Sequence, residues 1–212
     1  MRLTIFGATG RTGKHLVEQA LEAGYEVVAF ARNPSKLPAA HEHLTIVQGD
    51  AIDPAAVERA VQGTEAVISV LATSASRKIA ETQPLRRGTQ NILAAMKKYG
   101  VRRLIISAAG IPQPNDLPDL RFSLLMGFVK CLVPASEKDT LASAQVVRAS
   151  DVDWTIVRMP VPTNAPKTGR VQAGDVSKAI GMRISRADAA AFMLTEVRSA
   201  QYVRQAPVIC SR

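Results

Sequence analysis

The sequence predicts an α/β fold, a doubly wound and mostly parallel sheet with flanking helices on both faces. Three observations carry this. Short apolar runs rich in β-favouring residues alternate along the chain with amphipathic helical stretches. Those runs are nearly continuous in apolar character, as strands buried on both faces must be. The first run also passes straight through a glycine-rich turn, Gly7-Ala8-Thr9-Gly10-Arg11-Thr12-Gly13, into a helix.

Leu3 to Phe6 reads as a buried strand. Lys14 to Ala23 carries Leu16, Val17, Ala20 and Leu21 on one helical stripe, and Gly24 can close that helix. Between them, a side chain at Gly7 or Gly10 would hold a pyrophosphate away from the backbone. The free N–H groups and positive dipole end of the helix then face the phosphates, with Thr9 and Thr12 adding hydroxyl donors. A glycine turn placed between a strand and a helix is the context that a nucleotide-binding motif requires.

Tyr25 to Ala31 is the second strand and ends in the turn Arg32-Asn33-Pro34. In a dinucleotide fold this tip meets the adenosine ribose, where an acid accepts from the 2′-hydroxyl of NAD and repels a 2′-phosphate. No acid occurs from Val27 to His41; Arg32 and Lys36 occur instead, with Arg11 in the glycine turn. Guanidinium pairs well with phosphate, so NADP(H) is expected over NAD(H). Leu44 to Gln48 is a third strand, followed by Gly49-Asp50-Ala51. Asp50 suits either an adenine contact or a turn. Asp53 caps a helix that has Pro54 at its first position and stops at Gly63. Ala66 to Ala72 is a fourth strand, and Thr73 to Arg77 reads as a loop over the cofactor. A long helix from Pro84 to Lys98 ends at Gly100, and Arg103 to Ser107 is a fifth strand.

Residues 111–134 break the rhythm. Pro112, Pro114 and Pro118 precede the apolar run Phe122 to Val133, which serves as a substrate wall or lid, or packs on the body or on a second subunit. Ser136 with Asp139 three residues on opens the next helix. Asp153 to Arg158 is a sixth strand, and Met159-Pro160-Val161-Pro162 ends it, since proline cannot continue a ladder. A basic loop at Lys167 to Arg170, a short strand near Met182 to Ile184, a helix at Ser185 to Val197 and a last strand at Pro207 to Cys210 complete the reading. With no repeat and no linker, residues 1–212 are expected to form a single domain carrying an apolar insertion at about 111–134.

Composition narrows the function classes. Apolar residues make 47% and charged residues 21% of 212, as in an ordinary globular protein. The apolar stretch Phe122 to Pro134 is too short to span a bilayer and is broken by Lys130. The chain starts with a strand, so no signal peptide is expected, and Cys131 and Cys210 are expected to be free thiols in a cytoplasmic protein. The net charge of +9 comes from scattered basic residues without an aromatic ladder, so nucleic acid is not the expected partner. His41 and His43 flank Glu42 in a polar connection and read as solvated rather than as metal ligands.

The glycine motif at 7–13, Gly49-Asp50, the strand Ala66 to Ala72, Ser107 and Asp153-Trp154-Thr155-Ile156-Val157-Arg158 together resemble the atypical short-chain dehydrogenases/reductases. The likeness is strongest to the NAD(P)-binding group around NADPH-dependent flavin reductase, also called biliverdin-IXβ reductase, and its bacterial relatives. It implies a Rossmann fold with NADPH across the strand ends. Phosphate contacts fall on Thr9, Gly10, Arg11 and Thr12, the 2′-phosphate on Arg32 and the adenine on Asp50 and Ala51. Leu71, Ala72 and Thr73 line the adenosine and ribose side, Ser107 the nicotinamide pocket and Pro160 its edge. The histidines that some of these reductases place beside substrate correspond to Thr140 and Val161 here, a departure from the tetrapyrrole pattern, and the insertion at 111–134 is longer.

Many short-chain dehydrogenases use a Tyr-x-x-x-Lys pair. Four residues beyond Tyr25, Tyr99 and Tyr202 stand Ala29, Arg103 and Ala206, so that pair is missing. An alcohol dehydrogenase or a sugar epimerase needs such a positioned acid or base. A flavin or quinone takes hydride into a conjugated system, and water can deliver the proton. The expected activity is therefore NADPH-dependent reduction of a small conjugated acceptor by a monomer or homodimer, with Ser107 the candidate catalytic residue. The alternative is a redox-sensing regulator that binds NADP(H) without turnover.

Overall fold

A computed structural model describes residues 1–37, 41–72, 82–110, 134–174, 181–199 and 201–212. Strand β1 (Arg2–Phe6) leads into helix α1 (Arg11–Glu22), then β2 (Glu26–Ala31), β3 (Leu44–Gln48), α2 (Pro54–Val61) and β4 (Ala66–Ser69). Next come α3 (Pro84–Tyr99), β5 (Arg103–Ala109), α4 (Pro134–Arg148), β6 (Asp153–Met159) and β7 (Val161–Thr163). The chain ends with β8 (Val171–Gly174), β9 (Arg183–Ser185), α5 (Arg186–Ser199) and β10 (Val208–Ser211). The main sheet has the order β3-β2-β1-β4-β5-β6-β10-β8, and β7 and β9 form a separate parallel pair. All neighbours in the main sheet are parallel except β8, which runs antiparallel to β10.

The expected Rossmann fold is present, and the strand periodicity explains its two cores. Successive strand residues point to opposite faces. Ile105 joins Leu16, Val17 and Met193 under α1 and α5, while its neighbours Leu104 and Ile106 join Val57, Ile92, Met96 and Val147 under α2, α3 and α4. Both faces are thus covered, and the strands are mostly apolar, with Thr4, Thr155 and Arg158 buried among them. Strand β3 is the exception: at the sheet edge, Thr45, Ile46 and Gln48 are exposed. From β1 the chain winds one way through β2 and β3 and the other way through β4, β5 and β6. This reversal opens a crevice at the carboxyl ends of β1 and β4.

Several boundaries differ from the sequence reading. The fourth strand ends at Ser69, so Leu71 and Ala72 lie beyond it. The fifth runs on to Ala109, which puts Ser107 within a strand rather than at its end. The first helix begins at Arg11, so Gly13 is already helical. Prolines do end β6, yet Val161–Thr163 pairs again, with β9, where Pro162 sits opposite Ile184. Strand β8 had too short an apolar signal to stand out and forms by pairing with β10. Helix α4 begins at Pro134, ahead of Ser136, so that serine does not start it. The insertion expected at about 111–134, apart from Pro134 in α4, lies outside the described residues.

Arg103, at the start of β5, ties the sheet to α5. Its Nη2 and Nε donate to the Glu196 carbonyl at 2.6 and 3.2 Å, and its Nη1 to the Asp153 carbonyl at 2.8 Å. This fixes the carboxyl-terminal turn of α5 against the start of β5.

Candidate functional site

The glycine turn closes on itself through a Gly10 N–H to Gly7 carbonyl hydrogen bond of 2.9 Å. Gly7 has φ of 81°, and a Cβ there would stand 2.9 Å from the Val70 carbonyl oxygen. A side chain would therefore strain the backbone and press on the segment leaving β4. A Cβ on Gly13 would overlap the Gly7 carbonyl, so only glycine lets α1 lie this close to the end of β1. Gly10 precedes α1 in extended conformation, no side chain caps the helix and its first turn has no acid. The opening amides and the positive dipole end are thus left at the crevice, the arrangement that holds an anion.

Around this turn the structure places the other expected residues. Thr9 and Thr12 are partly buried, and Arg11 is exposed at the first position of α1. Arg32 follows β2, exposed, and its carbonyl accepts from Gln48 Nε2 at 3.3 Å. Asp50 Oδ1 accepts from the Ile52 N–H at 3.2 Å, which makes it a turn former; Asp50 remains exposed beside the end of β3. Ala51 is only 8% exposed: Gly88 of α3 packs against it, and its carbonyl accepts from Asn91 Nδ2 at 2.9 Å. Leu71 and Ala72 follow β4 at the crevice mouth. Thr73 lies outside the described residues.

Ser107 sits opposite Val157 in the β5–β6 register and shares the sheet face of Ile105. Pro160 follows β6. The Gly110 N–H donates to the Met159 carbonyl at 2.9 Å, and a Cβ on Gly110 would stand 2.5 Å from Pro160 Cα. The ends of β5 and β6 are therefore pinned together, with Ser107 two residues before the end of β5 and Pro160 just past the end of β6. The role of Gly110 was not singled out in the sequence, because nothing local announces a close approach to a residue fifty positions on.

Sequence reasoning also misread Asp139. It is 1% exposed, and its carboxylate caps α3 rather than its own helix: Oδ2 accepts from the Leu85 N–H at 2.9 Å and Oδ1 from the Arg86 N–H at 3.0 Å. Thr89 and Ser143 hydroxyls meet at 2.8 Å one turn further along. The two helices that follow residues 73–81 and 111–133 are thereby locked together. A cavity of about 510 Å³, lined by Arg170, Gln172, Phe192, Tyr202 and Arg212 among others, lies along edge strand β8 and does not include the glycine turn. Among the described residues no group of three or more His, Cys, Asp or Glu side chains is placed to hold a metal ion, and no helix is long and apolar enough to cross a membrane.

A glycine turn and an uncapped helix at the reversal of strand order define a dinucleotide-binding α/β protein. The chain belongs to the NAD(P)H-binding family, which matches residues 7–200. The family's cofactor agrees with the expected pyridine nucleotide. In sequence it is 32% identical over 117 residues to a 3-beta-hydroxysteroid dehydrogenase of Mycolicibacterium neoaurum, covering 51% of this chain and 32% of that protein. It is 29% identical over 106 residues to the photosystem II assembly factor Ycf39 of Synechocystis, covering 50% and 32%. The chain thus spans about a third of the length of these curated relatives. In fold it is similar to a short-chain dehydrogenase/reductase from Veillonella parvula in complex with NADP, with a TM-score of 0.81, 18% identity, and 99% and 94% of the two chains covered. An anaerobillin reductase from Escherichia coli O157:H7 gives a TM-score of 0.81 at 19% identity, with 100% and 97% covered.

Proposed function

We propose that this chain is an NADPH-dependent oxidoreductase that passes hydride to a small conjugated acceptor such as a flavin or quinone. The observation that carries it is the glycine turn under an uncapped α1 at the strand reversal, in a chain without a Tyr-x-x-x-Lys pair. In this reading Gly7, Thr9, Gly10, Arg11 and Thr12 hold the pyrophosphate. Arg32 pairs with the 2′-phosphate, which is the reason for preferring NADPH over NADH. Asp50, Ala51, Leu71, Ala72 and Thr73 border the adenosine half. Ser107 and Pro160 border the nicotinamide, where the Ser107 hydroxyl hydrogen-bonds the carboxamide or an acceptor carbonyl. When bound, the dinucleotide supplies the hydride. The chain supplies position, face selection and shelter from water. The acceptor's own conjugation carries the charge that an alcohol dehydrogenase must neutralise with an acid.

Stopped-flow loss of NADPH absorbance against a panel of flavins and quinones tests this reading. Turnover with at least one acceptor, faster with NADPH than with NADH, is expected. Tight NADPH binding with no turnover of any acceptor favours a non-catalytic NADP(H) sensor instead. The partial likeness to an assembly factor is the observation on that side.

A further inference from the structure

Strand β8 pairs with β10 on one edge, and among the described residues no strand pairs with the other. The ladder fixes which main-chain groups that open edge presents. The Arg212 N–H donates to the Arg170 carbonyl at 2.9 Å, one step beyond the Ser211–Val171 pair. Hydrogen-bonded and non-hydrogen-bonded pairs alternate along an antiparallel ladder. Arg170, Gln172 and Gly174 therefore address β10, and Val171 and Ala173 turn their main chain outward. The Tyr202 hydroxyl stands 3.5 Å from the Ala173 carbonyl. The Val171 N–H, the Val171 carbonyl and the Ala173 N–H are left for a further strand.

The side chains divide by the same period of two. Val171 and Ala173 pack with Ile209 on the α5 side of the sheet, where the rings of Phe192 and Tyr202 lie 5.9 Å apart. Arg170 and Gln172 belong to the other face, with Arg212 directly across from Arg170 and its Nε donating to Gln172 Oε1 at 3.1 Å. Like charges placed opposite each other destabilise a ladder. Arg170 is exposed, and its side chain forms no hydrogen bond or ion pair with a described residue. The cavity of about 510 Å³ follows this edge; both arginines and both rings line it, and no aspartate or glutamate does.

An open edge takes up an extended segment through main-chain hydrogen bonds, while alternate side chains select which segment fits. We propose that β8 is a docking edge for an extended segment of a partner protein, with acidic side chains toward Arg170 and Arg212 and apolar ones toward Phe192 and Tyr202. The uncompensated arginine pair supplies the charge complement, and the ring pair the apolar one. A second copy of β8 fits less well, because it adds its own arginines to the same sheet face. The inference is independent of the cofactor reading.

A fluorescein-labelled hexapeptide alternating glutamate and valine tests the edge by fluorescence polarisation, with a lysine–valine peptide of the same pattern as the charge control. Wild type should bind the glutamate peptide and not the lysine one. Ala173→Pro removes an outward N–H at an edge position, where proline is tolerated, and should abolish binding. Arg170→Glu, on the exposed surface, should weaken it about tenfold. Joined with Arg212→Glu, it should bind the lysine peptide instead. Melting temperatures show that each variant is folded. Amide exchange followed by NMR gives a second reading: the Val171 and Ala173 N–H groups should exchange quickly in the free protein and become protected with peptide. Binding that Arg170→Glu weakens but that leaves both amides unprotected is charge attraction without strand addition, and overturns the proposal. No binding to wild type at millimolar peptide also overturns it; the arginines then serve only to keep the open edge from pairing. A wild-type dimer that Ala173→Pro dissociates, seen by sedimentation, assigns the edge to a second copy and refutes the partner segment.

Discussion

Asp188 allows a quantitative test of how α5 is held to the loop before β8 and to β10. It is 0% exposed, yet its carboxylate accepts four hydrogen bonds. The Thr168 and Gly169 N–H groups and Thr168 Oγ1 each donate at 2.9 Å, and Ser211 Oγ donates at 2.7 Å. Burial pushes the carboxyl up, but the hydrogen bonds from Ser211, Gly169 and Thr168 together outweigh it and hold it below the ordinary carboxylate range. Asp188→Asn removes the charge and turns an NH₂ donor toward these donors. Hydrogen bonds to a charged group contribute about 1.5–3 kcal/mol each. Asparagine keeps one acceptor oxygen, and water reaches Thr168 and Gly169, which are exposed. The expected loss at neutral pH is therefore about 3 kcal/mol, half the low-end sum for four such bonds. In a chain of this size that lowers Tm by roughly 6–12 °C. The sign of the pH dependence follows from the depressed pKa. The unfolded chain holds this proton more readily, so the stabilisation is complete above the unfolded carboxyl's pKa of about 3.9 and is lost as pH falls through the lower folded value. Urea unfolding of wild type and variant from about pH 7 down to about pH 3 should show the gap narrowing with acid. A gap below about 1 kcal/mol at neutral pH, or one that stays constant across the series, refutes the account.

Other substitutions test the scaffold and the cofactor cradle. Asp139→Ala leaves the Leu85 and Arg86 N–H groups without their acceptor and should cost about 2 kcal/mol by urea unfolding, with Asp139→Asn costing less. Gly7→Ala places a Cβ at positive φ against the Val70 carbonyl; a loss of about 2 kcal/mol in stability is expected, together with weaker NADPH binding in a fluorescence titration. Arg32→Ala should weaken NADPH about tenfold and leave NADH unchanged, because only the former carries the 2′-phosphate; equal effects on the two would remove Arg32 from that role.

The parallel sheet, the glycine turn and the start of α2 were legible because each is a local matter. Apolar runs such as Ala66-Val67-Ile68 announce burial on two faces. Asp53 before Pro54 announces a helix start, and the structure shows Asp53 Oδ1 accepting from the Ala55 N–H at 3.0 Å. Strand β8 was not legible, because its apolar face is only Val171 and Ala173, too short a pattern to stand out, and the strand forms where β10 supplies an edge. For a similar reason the true partners of Asp139 were hidden: its spacing suits the acid that accompanies a Ser136 cap, while the donors it serves lie 53 and 54 residues away.

Local patterning alone specifies the doubly wound sheet and the glycine turn, together with an arginine at the tip of the second strand. These depend on the period of apolar residues and on where glycine alone can stand, and both are written along a single stretch of chain. Packing in three dimensions sets which groups meet: Asp139 with the start of α3, Asp188 with Thr168 and Ser211, Gly110 with Pro160, and Arg186 with Asn164. Each of these pairings joins different elements across the fold. A polar group taken out of water needs a partner to offset its lost hydration, and local spacing does not specify that partner, so packing had to choose it.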